Sequence, residues 1–239
     1  MSPAPTLLNG RDWDDAEQAL RSSSPFNYVV LDDLLDETAA RALRRGLIEH
    51  WGWRQKSPIS PHLHNDRPEV PALFELADAL RDAVPGLIGH LDLVFWWAIM
   101  YHRNVGGTAH SDHGEVTLNL WLTPDEHNLD TGTGGLVLLD VKRTPEMKVH
   151  EFSAPPLCSD YAARHTNGGQ AVIPYRWNRA VLFDSTTFHL PQPMHFDPRS
   201  AWTYRLGLTL TFDHPAVVDG RLAPYYAADP EAAFREAAS

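Results

Sequence analysis

The sequence predicts a mainly β domain, an antiparallel sandwich or barrel with helices gathered in its first third. Three observations carry this expectation. From Leu93 onward, short apolar runs of strand length are separated by Gly, Pro, Asp and Asn. The last run alternates strictly, with Leu206, Leu208, Leu210 and Phe212 set against Arg205, Gly207, Thr209 and Thr211, the period of a strand with one packed face. Before Leu93, apolar residues recur at helical spacing instead.

Taken in order, residues 1–25 are polar and end in Ser22-Ser23-Ser24-Pro25, which reads as a leading segment with a single helical turn near Asp14 to Leu20. Residues 26–31 give a short apolar strand. Asp36 starts a helix whose Ala39, Leu43 and Leu47 form an i, i+4 stripe. Residues 71–84 carry a second helix, with Leu73, Leu76, Ala77 and Leu80 on one side, Pro71 at the first helical position and Pro85-Gly86 ending it. Strands are then expected at residues 93–101, 116–122, 136–141, 171–174, 180–183 and 205–212. Residues 142–170 interrupt them with Pro145, Pro155, Pro156 and Gly168-Gly169. That insertion reads equally as a lid or substrate loop and as an inert surface excursion. Residues 214–239 form a tail expected to pack on the domain.

Composition narrows the function classes. A chain of 239 residues with 43% hydrophobic content and no internal repeat is expected to build one core. A formal charge of −11 argues against nucleic acid as a partner, since a phosphate-binding protein needs a basic face. No run approaches the roughly 18 apolar residues of a membrane span, and the first residues lack the basic flank and apolar run of a secretory signal. A soluble, cytoplasmic protein is therefore expected, without a membrane partner. Cys158 is the only cysteine, so an intrachain disulfide and a cysteine-based zinc site are excluded. Any bound metal would be held by histidine and carboxylate.

His110-Ser111-Asp112 is where such a site is expected. On an extended chain residues i and i+2 share a face, so His110 and Asp112 point together while Ser111 and His113 point away. His189, after the strand at 180–183, supplies a second imidazole. Two imidazoles and a carboxylate on one side of a metal leave the opposite positions open, an arrangement suited to catalysis at Fe(II), and one that also suits Zn2+. The Arg205, Gly207, Thr209 and Thr211 face makes sense as a cavity lining in which a guanidinium has room to grip an anion. The same small and polar pattern recurs in Thr117, Asn119 and Trp121. Trp96, Trp97, Trp121, Tyr161, Trp177 and Trp202 are numerous enough to form an aromatic binding wall, although core packing is the commoner fate of such residues.

The order of motifs adds what no single one carries. Tyr101, Asn104, Gly106-Gly107, His110-Ser111-Asp112, Gly134-Gly135 before a strand, Arg176-Trp177-Asn178-Arg179 leading into another, His189 in His-Leu-Pro-Gln-Pro and Arg205 opening the last strand follow one another. This order resembles the 2-oxoglutarate and Fe(II)-dependent dioxygenases, and within them the prolyl-hydroxylase-type branch, over residues 26–213. The resemblance implies a double-stranded β-helix, or cupin-like jelly roll, at residues 91–213, flanked by a helical part at 26–90. It implies Fe(II) held by His110, Asp112 and His189, with 2-oxoglutarate and O2 as cosubstrates and ascorbate as a supporting reductant. By the same resemblance, Arg205 would pair with the far carboxylate of 2-oxoglutarate and Tyr101 would hydrogen-bond it. Gly207 stands where the family often has Ser or Thr, so Thr209 or Asn119 would serve instead. His195 is a rival third ligand, because it gives a tighter spacing to Arg205.

The carboxylate of Asp112 bears on the reaction, since related halogenases replace it with a small residue. The resemblance therefore implies hydroxylation of an unactivated C–H in a small molecule, amino acid or peptidyl residue, with release of succinate and CO2. A cupin-like metal-binding protein without oxygenase activity and a zinc-dependent hydrolase are the alternatives. The first would need a further histidine near His110, and the second a general base, which the sequence does not reveal.

Overall fold

In the computed structural model, residues 7–55, 62–66 and 70–214 are described. The expected C-terminal tail lies outside them beyond His214. Three helices precede most of the strands: α1 (Trp13–Ser22), α2 (Glu37–Glu49) and α3 (Pro71–Ala83), with a short helical turn α4 (Pro85–Ile88) after them. Asp12 and Asp36 cap α1 and α2, each side chain accepting from two backbone N–H groups of the first turn. One expectation needs correction here. The leading segment holds a helix of ten residues rather than a single turn, and its Ala16 and Leu20 are buried. Pro85-Gly86 follows the end of α3 as expected and also opens α4, because a proline without an N–H is well placed at a first helical position. On α2, Ala40, Leu43 and Leu47 are buried in the core, and Ala39 packs partly buried against the same cluster.

The strands are β1 (Tyr28–Leu31), β2 (Arg54–Gln55), β3 (His62–Asn65), β4 (Asp92–Tyr101), β5 (Val116–Trp121), β6 (Leu136–Lys142), β7 (Gln170–Ile173), β8 (Ala180–Asp184), β9 (Thr187–Pro191) and β10 (Arg205–Asp213). They form two sheets, the larger in the order β1-β8-β5-β10-β4-β3-β2 and the smaller in the order β7-β6-β9, and all named pairs are antiparallel. This is the expected mainly β jelly roll with flanking helices. Two segments complete it unforeseen. The antiparallel pair β2 and β3 extends the larger sheet. His189 lies within its own strand β9 in the smaller sheet, not at the end of the strand before it.

Alternation along the strands divides the interior. On β10, Leu206, Leu208, Leu210 and Phe212 join Trp96, Ala98 and Met100 of β4 and Leu118 and Leu120 of β5 in one cluster with the helices. Fully burying one such leucine contributes about 1.5–3 kcal/mol, so this face anchors the helical layer. A second cluster, including Trp121, Leu136, Val181 and Phe183, lies between the sheets. Residues 142–170 are helical in part, as α5 (Val149–Ser153) and α6 (Leu157–His165). Their Phe152, Cys158 and Ala162 form a third cluster with Val141 and Phe188. Part of this insertion is therefore packed structure rather than a free loop.

Candidate metal and anion site

The site is built where the two sheets meet. His110 and His189 pair across an isolated antiparallel bridge, with His110 N to His189 O at 3.0 Å and His189 N to His110 O at 2.7 Å. The His110 segment thereby acts as a further edge of the smaller sheet beside β9. Residues directly opposite on an antiparallel pair project from the same face, and the two imidazole centroids lie 4.5 Å apart. Asp112 follows at i+2, its N–H donating to Ser185 O at 3.1 Å. Arg143 holds the same turn, donating from Nε to Asp112 O and from Nη2 to Gly114 O.

Donor atoms of His110, Asp112 and His189 all lie within 4.8 Å of one another. His110 Nε2 is 3.8 Å from Asp112 Oδ1, and His189 Nε2 is 3.5 Å from Asp112 Oδ2. Each Nδ1 contacts a backbone carbonyl, Thr108 O at 2.8 Å and Thr187 O at 3.1 Å. A carbonyl only accepts, so each Nδ1 carries a proton, and in the neutral ring Nε2 presents a bare lone pair. Burial, opposed in part by Asp112, pushes the His189 pKa down to about 4, which keeps this ring neutral near pH 7. Asp112 is 3% exposed, and its Oδ2 has no hydrogen-bond partner among the described residues. Two lone pairs and an orphaned buried carboxylate oxygen turned toward one another are the donor set of a cation site. The residues present fit a divalent metal.

Arg205 occupies the other end of the same cavity. It is 4% exposed, and its Nε donates to Gly134 O at 2.7 Å. The rings of Tyr101, Trp121 and Tyr175 surround the guanidinium at 5.6, 5.7 and 5.8 Å. Burial pulls its pKa down and pushes those of Tyr101 and Tyr175 up, yet a guanidinium stays charged. No carboxylate pairs with it among the described residues. Three aromatic faces offset only part of the cost of burying a cation.

The structure brings His110, Asp112, His189, Tyr101, Asn119, Thr209 and Arg205 to one cavity. Asn119 is partly committed within the protein, its Oδ1 accepting from Trp121 Nε1 at 2.7 Å and its Nδ2 donating to Thr209 Oγ1 at 3.1 Å. Thr209 has accepted that bond and keeps its own proton to donate. His195 stands apart, exposed and outside the cluster, while His113 packs against Phe152. Of the aromatic residues proposed as a wall, Trp97 lines the cavity, whereas Trp96 belongs to the helix-facing core. Sequence reasoning missed Tyr175, Arg143 and the Gly134 carbonyl. Gly134-Gly135 was the available signal for the last: Gly134 has φ +86°, and a Cβ on Gly135 would sit 1.9 Å from Ile173 O.

The other flagged motifs are structural. Asn104 brackets Phe196 through both its backbone groups, and a Cβ on Gly107 would sit 2.2 Å from a ring carbon of Pro191. Asn178, at φ 57°, bonds both backbone groups of Leu35, while Arg179 pairs with Asp32.

No protein-family profile matches the chain, and no curated protein does. Solved structures do match. SnoN, the epimerase from nogalamycin biosynthesis, in complex with Fe3+, alpha ketoglutarate and nogalamycin RO, aligns at TM-score 0.60 and 15% identity over 92% of this chain and 94% of its own. HygX from Streptomyces hygroscopicus, with nickel and 2-oxoglutarate bound, aligns at TM-score 0.58 and 12% identity, covering 83% and 87%. A prolyl-4-hydroxylase from Pseudomonas putida aligns at TM-score 0.53 and 16% identity, covering 83% and 98%. At these identities the likeness is one of fold, and the chain has the fold of these enzymes.

Proposed function

We propose that this protein is a 2-oxoglutarate- and Fe(II)-dependent dioxygenase that hydroxylates an unactivated C–H bond of a small molecule. The observation that carries the reading is the pairing, in one cavity, of a His-Asp-His donor set with a buried arginine that lacks an acidic partner among the described residues. A metal-binding jelly roll with no acidic cosubstrate has no use for that arginine. In this reading residues 26–213 form the catalytic domain, as the resemblance implied.

His110, Asp112 and His189 would hold Fe(II), the Nδ1 contacts to Thr108 O and Thr187 O keeping both rings aimed through Nε2. Bound there with 2-oxoglutarate and O2, iron would supply an oxidant able to take hydrogen from an unactivated carbon, with succinate and CO2 released. Arg205 would fix the far carboxylate by charge-assisted hydrogen bonds, and Thr209 and Tyr101 would donate hydroxyl bonds around the cosubstrate. Asn119 would hold Thr209 in place. Trp97, Ile99 and Pro191 line the same cavity, and their apolar faces would exclude water and favour an uncharged part of the substrate. Retention of a carboxylate at Asp112 favours oxygen insertion over halogenation. The structural neighbours of SnoN and HygX type, crystallised with nogalamycin RO and hygromycin B, support a small molecule as the substrate.

Purified protein supplied with Fe(II), ascorbate and O2 is expected to convert 2-oxoglutarate slowly to succinate without its substrate, and Asp112→Ala to abolish this. Equal succinate formation by the variant and the wild type would sink the proposal.

A further inference from the structure

A second set of metal-ligating side chains lies outside the cavity, at the opposite end of β10 from Arg205. Three neighbouring strands deliver it. In the register of the larger sheet Asp92 pairs with Asp213 and Val116 with Phe212. His90 stands two residues before Asp92, Glu115 one before Val116, and His214 one after Asp213. One donor therefore comes from the start of β4, one from the start of β5 and one from the end of β10.

The backbones under these residues are held. Glu115 N donates to Phe212 O at 2.8 Å, Ser185 N donates to Glu115 O at 3.0 Å, and Leu91 N closes the turn after His90 on Ile88 O at 3.0 Å. His214 N donates to the Asp213 carboxylate at 2.8 Å. The side chains converge without bonding one another: all three donor atoms lie within 4.8 Å, and His214 Nε2 is 3.8 Å from Glu115 Oε2, beyond a hydrogen bond. The His90 and His214 rings sit 5.3 Å apart at 49°. All three residues are exposed, so a cation could bind while keeping water in its remaining positions and without the cost of burial.

We propose that His90, Glu115 and His214 form a second divalent-metal site. Two imidazoles and one carboxylate select a borderline ion such as Zn2+, Co2+, Ni2+ or Cu2+ over Mg2+ or Ca2+, which prefer all-oxygen shells. An ion there ties the ends of β4, β5 and β10 together. It also pins Glu115, three residues beyond Asp112, through a segment already bonded to Ser185 and Arg143. This site does not depend on the dioxygenase reading.

The test uses untagged full-length protein stripped with chelator and titrated with Zn2+ by calorimetry. Asp112→Ala is expected to retain one equivalent, and Asp112→Ala/His214→Ala to retain none. Zinc binding that is absent from Asp112→Ala, or that persists unchanged in the double variant, overturns the site. If instead the His110 cluster holds no metal, wild type and Asp112→Ala bind one equivalent alike and His214→Ala alone removes it, so the two failures are distinguishable. Should Asp112→Ala not fold, a zinc-soaked wild-type crystal gives the same decision. An anomalous peak between His90 and His214 supports the site, and its absence overturns it.

Discussion

Replacing Arg205 with methionine separates a binding role from a structural one. Among the described residues the guanidinium makes one hydrogen bond, to Gly134 O, and is otherwise surrounded by rings. With 2-oxoglutarate bound, its loss would strand a buried carboxylate, a cost of about 3–5 kcal/mol. At about 1.4 kcal/mol per tenfold, affinity should fall by about a hundred- to a few thousand-fold. In the ligand-free protein the balance reverses. The variant gives up one hydrogen bond worth about 1 kcal/mol, but it no longer holds an unpaired charge out of water. Ligand-free stability should therefore stay level or rise. Anaerobic calorimetry with Mn2+ in place of iron reads the affinity, and urea unfolding without ligand reads the stability. An affinity within about threefold of wild type would refute the reasoning, as would a ligand-free loss of several kcal/mol, which would make Arg205 a structural residue.

Three further outcomes are expected. His189→Ala should lose Fe(II) at the cavity while His195→Ala keeps it; iron content after desalting decides this, and the reverse result moves the third ligand. Gly135→Ala should destabilise the protein by about 1–3 kcal/mol or more, read by urea unfolding, because its new Cβ would meet Ile173 O at 1.9 Å with backbone on both sides. Asp184 bonds Lys142 at 2.5 Å and Thr186 through N and Oγ1, tying β8 to β6 and closing the turn into β9. Burial works to raise its pKa, but these partners hold it below the ordinary carboxylate value. Its stabilisation is therefore present above that ordinary value and lost as pH falls through the lowered pKa. Asp184→Asn should cost about 1–3 kcal/mol near neutral pH, a gap that closes in acid, and a pH-independent difference between the two unfolding curves would contradict this.

The parts of the fold legible in the sequence were those with a strict period. Leu206 to Phe212 alternates without a break because one face meets the helices and the other the cavity. His110 and Asp112 could be paired for the same reason. Strand β9 was hidden: Thr187 to Pro191 is short, follows a turn built on Asp184 and ends in proline, so no alternation sets it apart from β8. The bridge between His110 and His189 is a long-range pairing that no local pattern encodes. Helices α5 and α6 escaped notice because Pro155-Pro156 lies between them and each is short, with stability coming from Phe152 and Cys158 packing on Val141 and Phe188. Arg205 was legible as a cation on a polar face, but its ring of Tyr101, Trp121 and Tyr175 draws on three separated segments.

In the proposed reaction the cavity splits O2 between a cosubstrate and a substrate carbon. Turnover of 2-oxoglutarate under 18O2, followed by mass spectrometry of the succinate, tests it most directly. Succinate carrying one 18O atom in the new carboxylate is expected, formed by wild type and not by Asp112→Ala. Unlabelled succinate only, or none above the enzyme-free control, would contradict it.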